Sequence, residues 1–169
     1  THAETRIGLI TGDNEYYIRQ WSESSIKEIC VDFSAETPSY FGKKWFPQSK
    51  GGDFRKWYGN HQTVIYWEND GEELKTRMHP SGKRLLAHNF NLEKKFLPGI
   101  TWTKISSASF SARFQPKGFI FNDASANAFP KNQNPLGIFP LLGFLCSKLT
   151  KPFLEAINPT LNFLPGDIS

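Results

Sequence analysis

Apolar residues along this chain recur first at helical spacing, then in alternation, then at helical spacing again, and that succession of periods predicts an α+β fold. Thr11-Gly12-Asp13-Asn14 reads as a turn that starts a short helix over residues 15–23. Asp13 or Asn14 can accept from the free first-turn amides, and Glu15 suits their positive end. Tyr17, Ile18 and Trp21 then share one face as core residues. Residues 54–58 and 63–67 alternate apolar with polar side chains on either side of Gly59-Asn60, which predicts a hairpin. Asn69-Asp70-Gly71 stops its second strand, and residues 72–78 have room for one or two helical turns.

Residues 79–99 read as a connector with a weak helix around 92–96. Strand patterns return over 100–105, 110–114 and 118–121, followed by a polar loop over 122–134. A final helix over 138–149 carries Ile138, Leu142, Leu145 and Leu149 on one stripe. The expected architecture is one mostly antiparallel sheet, built from the 54–67 hairpin and the 100–121 strands, with a short N-terminal helix and a C-terminal helix.

Composition supports an ordered fold. Of 169 residues 38% are hydrophobic and 15% aromatic, enough for one domain over residues 1–169 to bury a core. The longest apolar run, 138–146, is broken by Pro140 and Gly143 and falls far short of the ~20 residues a membrane span needs. Residues 1–14 lack the apolar stretch of a secretory signal. Cys30 and Cys146 lie too far apart in sequence to form a disulfide framework, and no Cys/His cluster has zinc spacing. The expectation is a cytoplasmic protein with reduced thiols, no metal and no membrane partner.

Charge changes the picture more. Residues 1–42 hold three Lys/Arg against seven Asp/Glu, whereas residues 43–117 hold fourteen against six, a net +8. A central basic block of this kind points to a polyanion partner. It is densest around Lys50-Gly51-Gly52-Asp53-Phe54-Arg55-Lys56-Trp57-Tyr58-Gly59-Asn60, with Lys43 and Lys44 just before it. Paired glycines expose backbone amides and admit close approach, as phosphate or sugar contact requires. Trp45 and Trp57 either fill the sheet's inner face, the default for tryptophan, or stack on an unpaired base. The four histidines have no nucleophile or ligand partner at useful spacing.

The sequence resembles the region that follows the catalytic domain in BREX-type adenine-specific DNA methyltransferases, the PglX family. The motifs that carry the likeness run through the chain in order. They are RIGLITGDN at 6–14 with Trp21, KGGDFRKWYGN at 50–60, WENDG at 67–71, GITWTKISS at 99–107 and Arg113-Phe114 with Pro116-Lys117-Gly118. LLGFLCSK at 141–148 and NPTLNF at 158–163 with Gly166-Asp167-Ile168 complete the set.

The likeness implies a target-recognition segment of a longer phage-defence methyltransferase, in contact with duplex DNA, with its own upstream catalytic domain and with other defence-system subunits. It also implies S-adenosylmethionine as the parent enzyme's cofactor. The residues expected to contact DNA are Lys43, Lys44, Lys50, Gly51, Gly52, Arg55, Lys56, Trp57, Lys104 and Arg113. The segment itself is expected to bind no cofactor and to be inert. An adenine methyltransferase needs Asn/Asp-Pro-Pro-Tyr/Phe and a Phe-x-Gly-x-Gly turn, and the nearest approach here is Asn158-Pro159-Thr160-Leu161.

Two other functions compete. Asp53 with Glu73 and Lys75 resembles the acid–acid–lysine set of a magnesium-dependent nuclease, at permissive spacing. The heavy aromatic load also suits a module that docks other subunits.

Overall fold

The computed structural model describes residues 3–31, 42–105, 109–131, 137–158, 160 and 162–168. Within them the fold is α+β, but the strands form two sheets rather than one. In chain order the elements are β1 (Ala3–Ile7), α1 (Asn14–Tyr17), β2 (Ile18–Gln20), β3 (Trp45–Ser49), β4 (Thr63–Tyr66), α2 (Glu68–Thr76), β5 (Gly99–Thr103), β6 (Ala112–Gln115), β7 (Ile120–Phe121), β8 (Ser125–Pro130), α3 (Ile138–Cys146) and α4 (Thr150–Ile157). The first sheet has the order β1-β8-β5-β6 and is antiparallel throughout. The second has the order β2-β4-β3-β7, antiparallel except where β3 runs parallel to β7.

Strand alternation sorts the first sheet into two unlike faces. Ile100, Trp102, Ala112, Ala126 and Ala128 form one face, covered by Ile138, Leu142, Leu145 and Cys146 of α3 and Leu154 of α4. Small residues on β6 and β8 let the helices sit close. Trp102 is fully buried there and its Nε1 donates to the Phe163 carbonyl at 2.9 Å. The opposite face is polar and turns toward the second sheet. Thr101, Arg113, Gln115, Ser125 and Asn127 are buried there, as are Gln48 and Ser49 of β3, and Ser125 Oγ donates to the Ser49 carbonyl at 3.1 Å. Hydrogen bonds from Ser49 to Thr101 (3.1 Å) and from Asn127 to Gln115 (2.7 Å) tie this seam together. The second sheet has its own apolar cluster, which includes Tyr17, Phe46, Ile65, Trp67, Leu74 and Ile120.

Several local expectations give way to tertiary pairing. The partner of β4 is Trp45–Ser49, in antiparallel register from Trp45 opposite Tyr66, so residues 54–58 are not a hairpin strand. They form part of a loop that leaves the sheet and returns. The N-terminal helix stops at Tyr17, because β-branched Ile18 pairs with Ile65 and extends the second sheet. Its start is as expected, with the Asp13 carboxylate accepting from the Tyr16 amide at 3.1 Å. Trp21, expected in the core, lies in a 3₁₀ turn and is 54% exposed.

Residues 125–130, expected in a polar loop, form the buried strand β8 between β1 and β5. Ser125 and Asn127 carry little strand signal of their own, and the polar seam is what uses them. The 132–134 part of that expected loop lies outside the described residues. Residues 92–96 make successive turns instead of a helix. The C-terminal stripe buries Ile138, Leu142 and Leu145, but α3 ends at Cys146 and leaves Leu149 62% exposed ahead of α4.

The WENDG stretch behaves as the turn its residues predict. Asn69, Asp70 and Gly71 take φ of 50°, 58° and 74°, so regular helical turns in α2 begin at Glu72. A Cβ on Gly71 would come within 2.8 Å of the Trp67 ring, so only glycine fits. Asp70 anchors this turn, accepting from Trp67 Nε1 at 3.2 Å and from Lys75 at 2.8 Å, and pairing also with Lys95. Burial pushes its carboxyl up, but the bonds from Lys75, Lys95 and Trp67 outweigh that and hold it down at about 2.

Among the described residues no helix is long and apolar enough to cross a membrane. Cys30 and Cys146 are buried and do not form a disulfide.

Candidate nucleic-acid interface

The loop between β3 and β4 is the part of the surface that the basic motif builds. Gly52 (φ 146°), Trp57 (φ 74°), Gly59 (φ 122°) and Asn60 (φ 61°) all lie in the left-handed region, so the loop cannot run as a strand. It is fastened at three points. Thr103 Oγ1 donates to the Gly52 carbonyl at 3.0 Å, Asn60 Nδ2 donates to the Asp53 carbonyl at 3.0 Å, and Trp57 exchanges backbone bonds with the edge of β6. Gly51 serves the close approach that its type allows, but toward the protein itself. A Cβ there would sit 2.6 Å from the Ala124 carbonyl oxygen.

Two hollows flank this glycine ridge. One, of about 490 Å³, is lined by Lys50 and the glycines with Thr103, Lys104, Ile105, Asp123 and Ala124. The other, of about 300 Å³, is lined by the same ridge with Gln20, Asp53, Arg55, Asn60, Gln62 and Thr63. The side chains of Lys50, Arg55 and Lys104 make no hydrogen bond or ion pair with another described residue, so three cations line the hollows beside the ridge, where Asp53 and Asp123 are the carboxylates. The Lys104 backbone is pinned by bonds to Ala124 and Phe163, which leaves only its side chain free to move. Phe54, Trp57 and Tyr58 stand out from the same loop, 48%, 55% and 60% exposed.

Four of the expected contact residues are engaged elsewhere. Arg113 is 1% exposed, because strand alternation on β6 points it into the polar seam, so it reaches no phosphate on the surface. Burial brings its guanidinium down to about 10, Arg55 adds to that, and Nη1 has no hydrogen-bond partner. Lys56 Nζ donates to the Cys146 carbonyl at 2.7 Å, where it also complements the negative end of α3. Lys44 pairs with Glu28 at 2.8 Å, and Lys43 donates to the Lys27 carbonyl at 2.6 Å. Trp45 is half-buried and packs edge-on against Tyr66 at 5.6 Å, outside the apolar cluster of the second sheet, and Trp57 does not pack inward.

The residues that sequence reasoning missed are Gln20, Gln62, Thr103 and Asp123, which reach the ridge from separate segments and carry no local motif. Asn60 had a signal, the Gly59-Asn60 turn. A third hollow of about 230 Å³ joins Phe54 and Lys56 to Lys148 and Lys151 at the start of α4.

His61 lies behind the loop, its ring 4.6 Å from those of Tyr58 and Phe119. Burial, with the Arg113 charge adding to it, lowers its pKa to about 4. Because the folded value lies below the unfolded one, its contribution to stability is complete above about pH 6.5 and disappears as pH falls toward 4. We expect stability to drop over that window by on the order of 1 kcal/mol more in the native protein than in His61→Gln. Chemical denaturation at pH 7 and pH 4.5 measures this. Equal losses in both proteins would show that the ring is solvated.

The rival metal set does not assemble. Glu73 accepts from the Tyr17 hydroxyl at 3.1 Å and Lys75 is held by Asp70, while Asp53 stays on the loop. The nearest approach to a methyltransferase motif is also spent internally. Asn158 Nδ2 donates to the Asn162 carbonyl (3.0 Å) and to Asp167 (2.9 Å), and its Oδ1 accepts from the Thr160 amide. Pro159 and Leu161 lie outside the described residues. Nor do the sheets offer a run of parallel strands for a nucleotide-type cofactor, since the parallel pairing of β3 with β7 covers two residue pairs. These residues do not fit S-adenosylmethionine.

Two sheets rich in antiparallel pairing frame a glycine ridge flanked by the side chains of Lys50, Arg55 and Lys104. No protein-family model matches the chain. It is 39% identical over 163 residues to adenine-specific methyltransferase PglX of Lacticaseibacillus casei (strain Zhang), covering 96% of this chain and 13% of that protein. It is 38% identical over 162 residues to adenine-specific methyltransferase BrxX of Escherichia coli O9:H4 (strain HS), covering 95% of this chain and 12% of that protein. Nearly the whole chain is therefore similar to a segment of adenine-specific methyltransferases of the PglX kind, and it spans about an eighth of the length of these relatives.

Proposed function

We propose that this segment contacts duplex DNA for an adenine-specific methyltransferase, as part of its target-recognition region, while S-adenosylmethionine and the methyl transfer belong to an upstream catalytic domain of the same polypeptide. The observation that carries the reading is the convergence of Lys50, Arg55 and Lys104, all without an acidic partner, on the Gly51-Gly52 ridge. The amides of Gly51 and Gly52 donate to no described residue, so they add neutral donors between the cations. Phosphates are the ligands this arrangement suits, and phosphate contacts set position before any base is read. Lys43 and Lys44 lie earlier on the same basic run and act through the general field, as does buried Arg113.

Two titrations test the reading. Affinity for a mixed-sequence duplex should fall steeply with salt, whereas titration with S-adenosylmethionine should produce no heat of binding. A salt-independent affinity would replace DNA by a protein partner, such as another subunit of the defence system docking on the exposed aromatics. A micromolar cofactor constant would return catalysis to this segment.

A further inference from the structure

Trp57 differs from the other tryptophans in a way that packing does not explain. Trp67 and Trp102 are 1% and 0% exposed, while Trp57 is 55% exposed and makes no ring contact with another described aromatic. Exposed Trp21 sits on an ordinary backbone, but Trp57 has φ 74°, a conformation that a bulky side chain rarely adopts. The strain is held in place rather than relaxed. The Trp57 amide donates to the Ala112 carbonyl at 3.0 Å, and the Phe114 amide donates to the Trp57 carbonyl at 2.8 Å, which fixes the residue to the edge of β6. Strain maintained by surrounding structure is a recurrent mark of binding sites.

Its neighbours specify the ligand chemistry. Arg55, whose side chain has no ion-pair partner, stands two residues before it and Lys50 lies on the adjoining ridge, two cations against the one carboxylate of Asp53 in that hollow, so an anion is favoured near a flat, apolar ring. Tyr58 is already braced edge-on against His61 at 4.6 Å, which leaves the Trp57 indole as the larger of two unbraced rings on the loop, Phe54 being the other. A partner that offers a phosphate and a planar ring within one unit is a nucleotide.

We propose that Trp57 stacks on an unpaired nucleobase, so that the loop grips DNA most tightly where a base has left the helix. The proposal rests on the DNA-binding reading above and adds to it a preference for a locally opened duplex. Aromatic stacking of this kind is sequence-tolerant because every base presents a π-face. Fixing the Trp57 backbone beforehand reduces the ordering entropy lost on binding.

The test compares two probes of equal length and charge, a fully paired duplex and the same duplex carrying one 2-aminopurine opposite an abasic site. The native protein should bind the second probe about 5- to 100-fold more tightly, with quenching of the 2-aminopurine fluorescence. Trp57→Ala should bind both probes alike, with its melting temperature retained because the ring is mostly outside the core. Trp57→Phe should recover part of the preference, and Lys50→Ala should weaken both probes equally. A preference that persists in folded Trp57→Ala, or equal binding of both probes by the native protein, overturns the stacking role and leaves the phosphate contacts standing. If neither probe binds, the DNA reading falls and the stacking role with it.

Discussion

Leu145→Asp is expected to leave little folded protein at room temperature. Leu145 is 3% exposed and seated among Trp102, Ala112 and Leu142, where α3 covers the apolar face of the first sheet. Removing such a leucine forfeits about 2–5 kcal/mol of burial and cavity energy. A carboxylate in the same space adds a desolvation penalty, which Lys56, Lys148 and Lys151 around the hollow that Leu145 borders offset only in part. The sum approaches the 5–15 kcal/mol of total stability typical of a domain.

Leu149→Asp supplies the contrast. Sequence periodicity places both leucines on one stripe, but Leu149 lies beyond the end of α3, at the N-cap of α4, and is 62% exposed, so its replacement by a capping residue should not lower stability. Circular dichroism melts of the two variants decide the matter. A native melting temperature for Leu145→Asp would mean that α3 does not pack on the sheet. Equal loss in both would mean that the helix continues through Leu149.

These two leucines also show how far the chain could be read without coordinates. Periodicity located the buried stripe of the C-terminal helix and the strands expected over 100–105 and 110–114, which form at Gly99–Thr103 and Ala112–Gln115, and residue type located the turn at Asn69-Asp70-Gly71, because each depends on neighbours in sequence. It could not see that β4 pairs with Trp45–Ser49, because the alternation of residues 54–58 was the nearer and more regular signal. That alternation belongs to a loop whose shape is set by four left-handed residues and by anchors on Thr103 and β6. The strand at 125–130 was hidden because its alternate residues face a polar seam rather than a core.

The candidate site was legible as a basic, glycine-bearing motif, but not in its membership. Charge alone cannot separate Lys56, bound to the Cys146 carbonyl, from Lys50 and Arg55, which have no such partner. Only strand direction reveals that Arg113 points inward while Lys104, from the adjacent strand's end, lines the open hollow. The family likeness was carried by motifs in order along the chain, and the two methyltransferase relatives match nearly all of it.

The claim at the centre of this account is that the three free cations around the Gly51-Gly52 ridge meet DNA phosphates. Each such contact releases close to one counterion, so the slope of log affinity against log salt counts them. The decisive measurement is that slope for the native protein and for the triple variant Lys50→Ala, Arg55→Ala, Lys104→Ala, on one mixed-sequence duplex beginning at low ionic strength. Lys56→Ala serves as the control, since its ammonium is held by α3 and its loss should lower stability while leaving the slope nearly unchanged. The triple variant should flatten the slope by about three units and weaken binding without altering sequence preference. A folded triple variant with the native slope and the native affinity would contradict it.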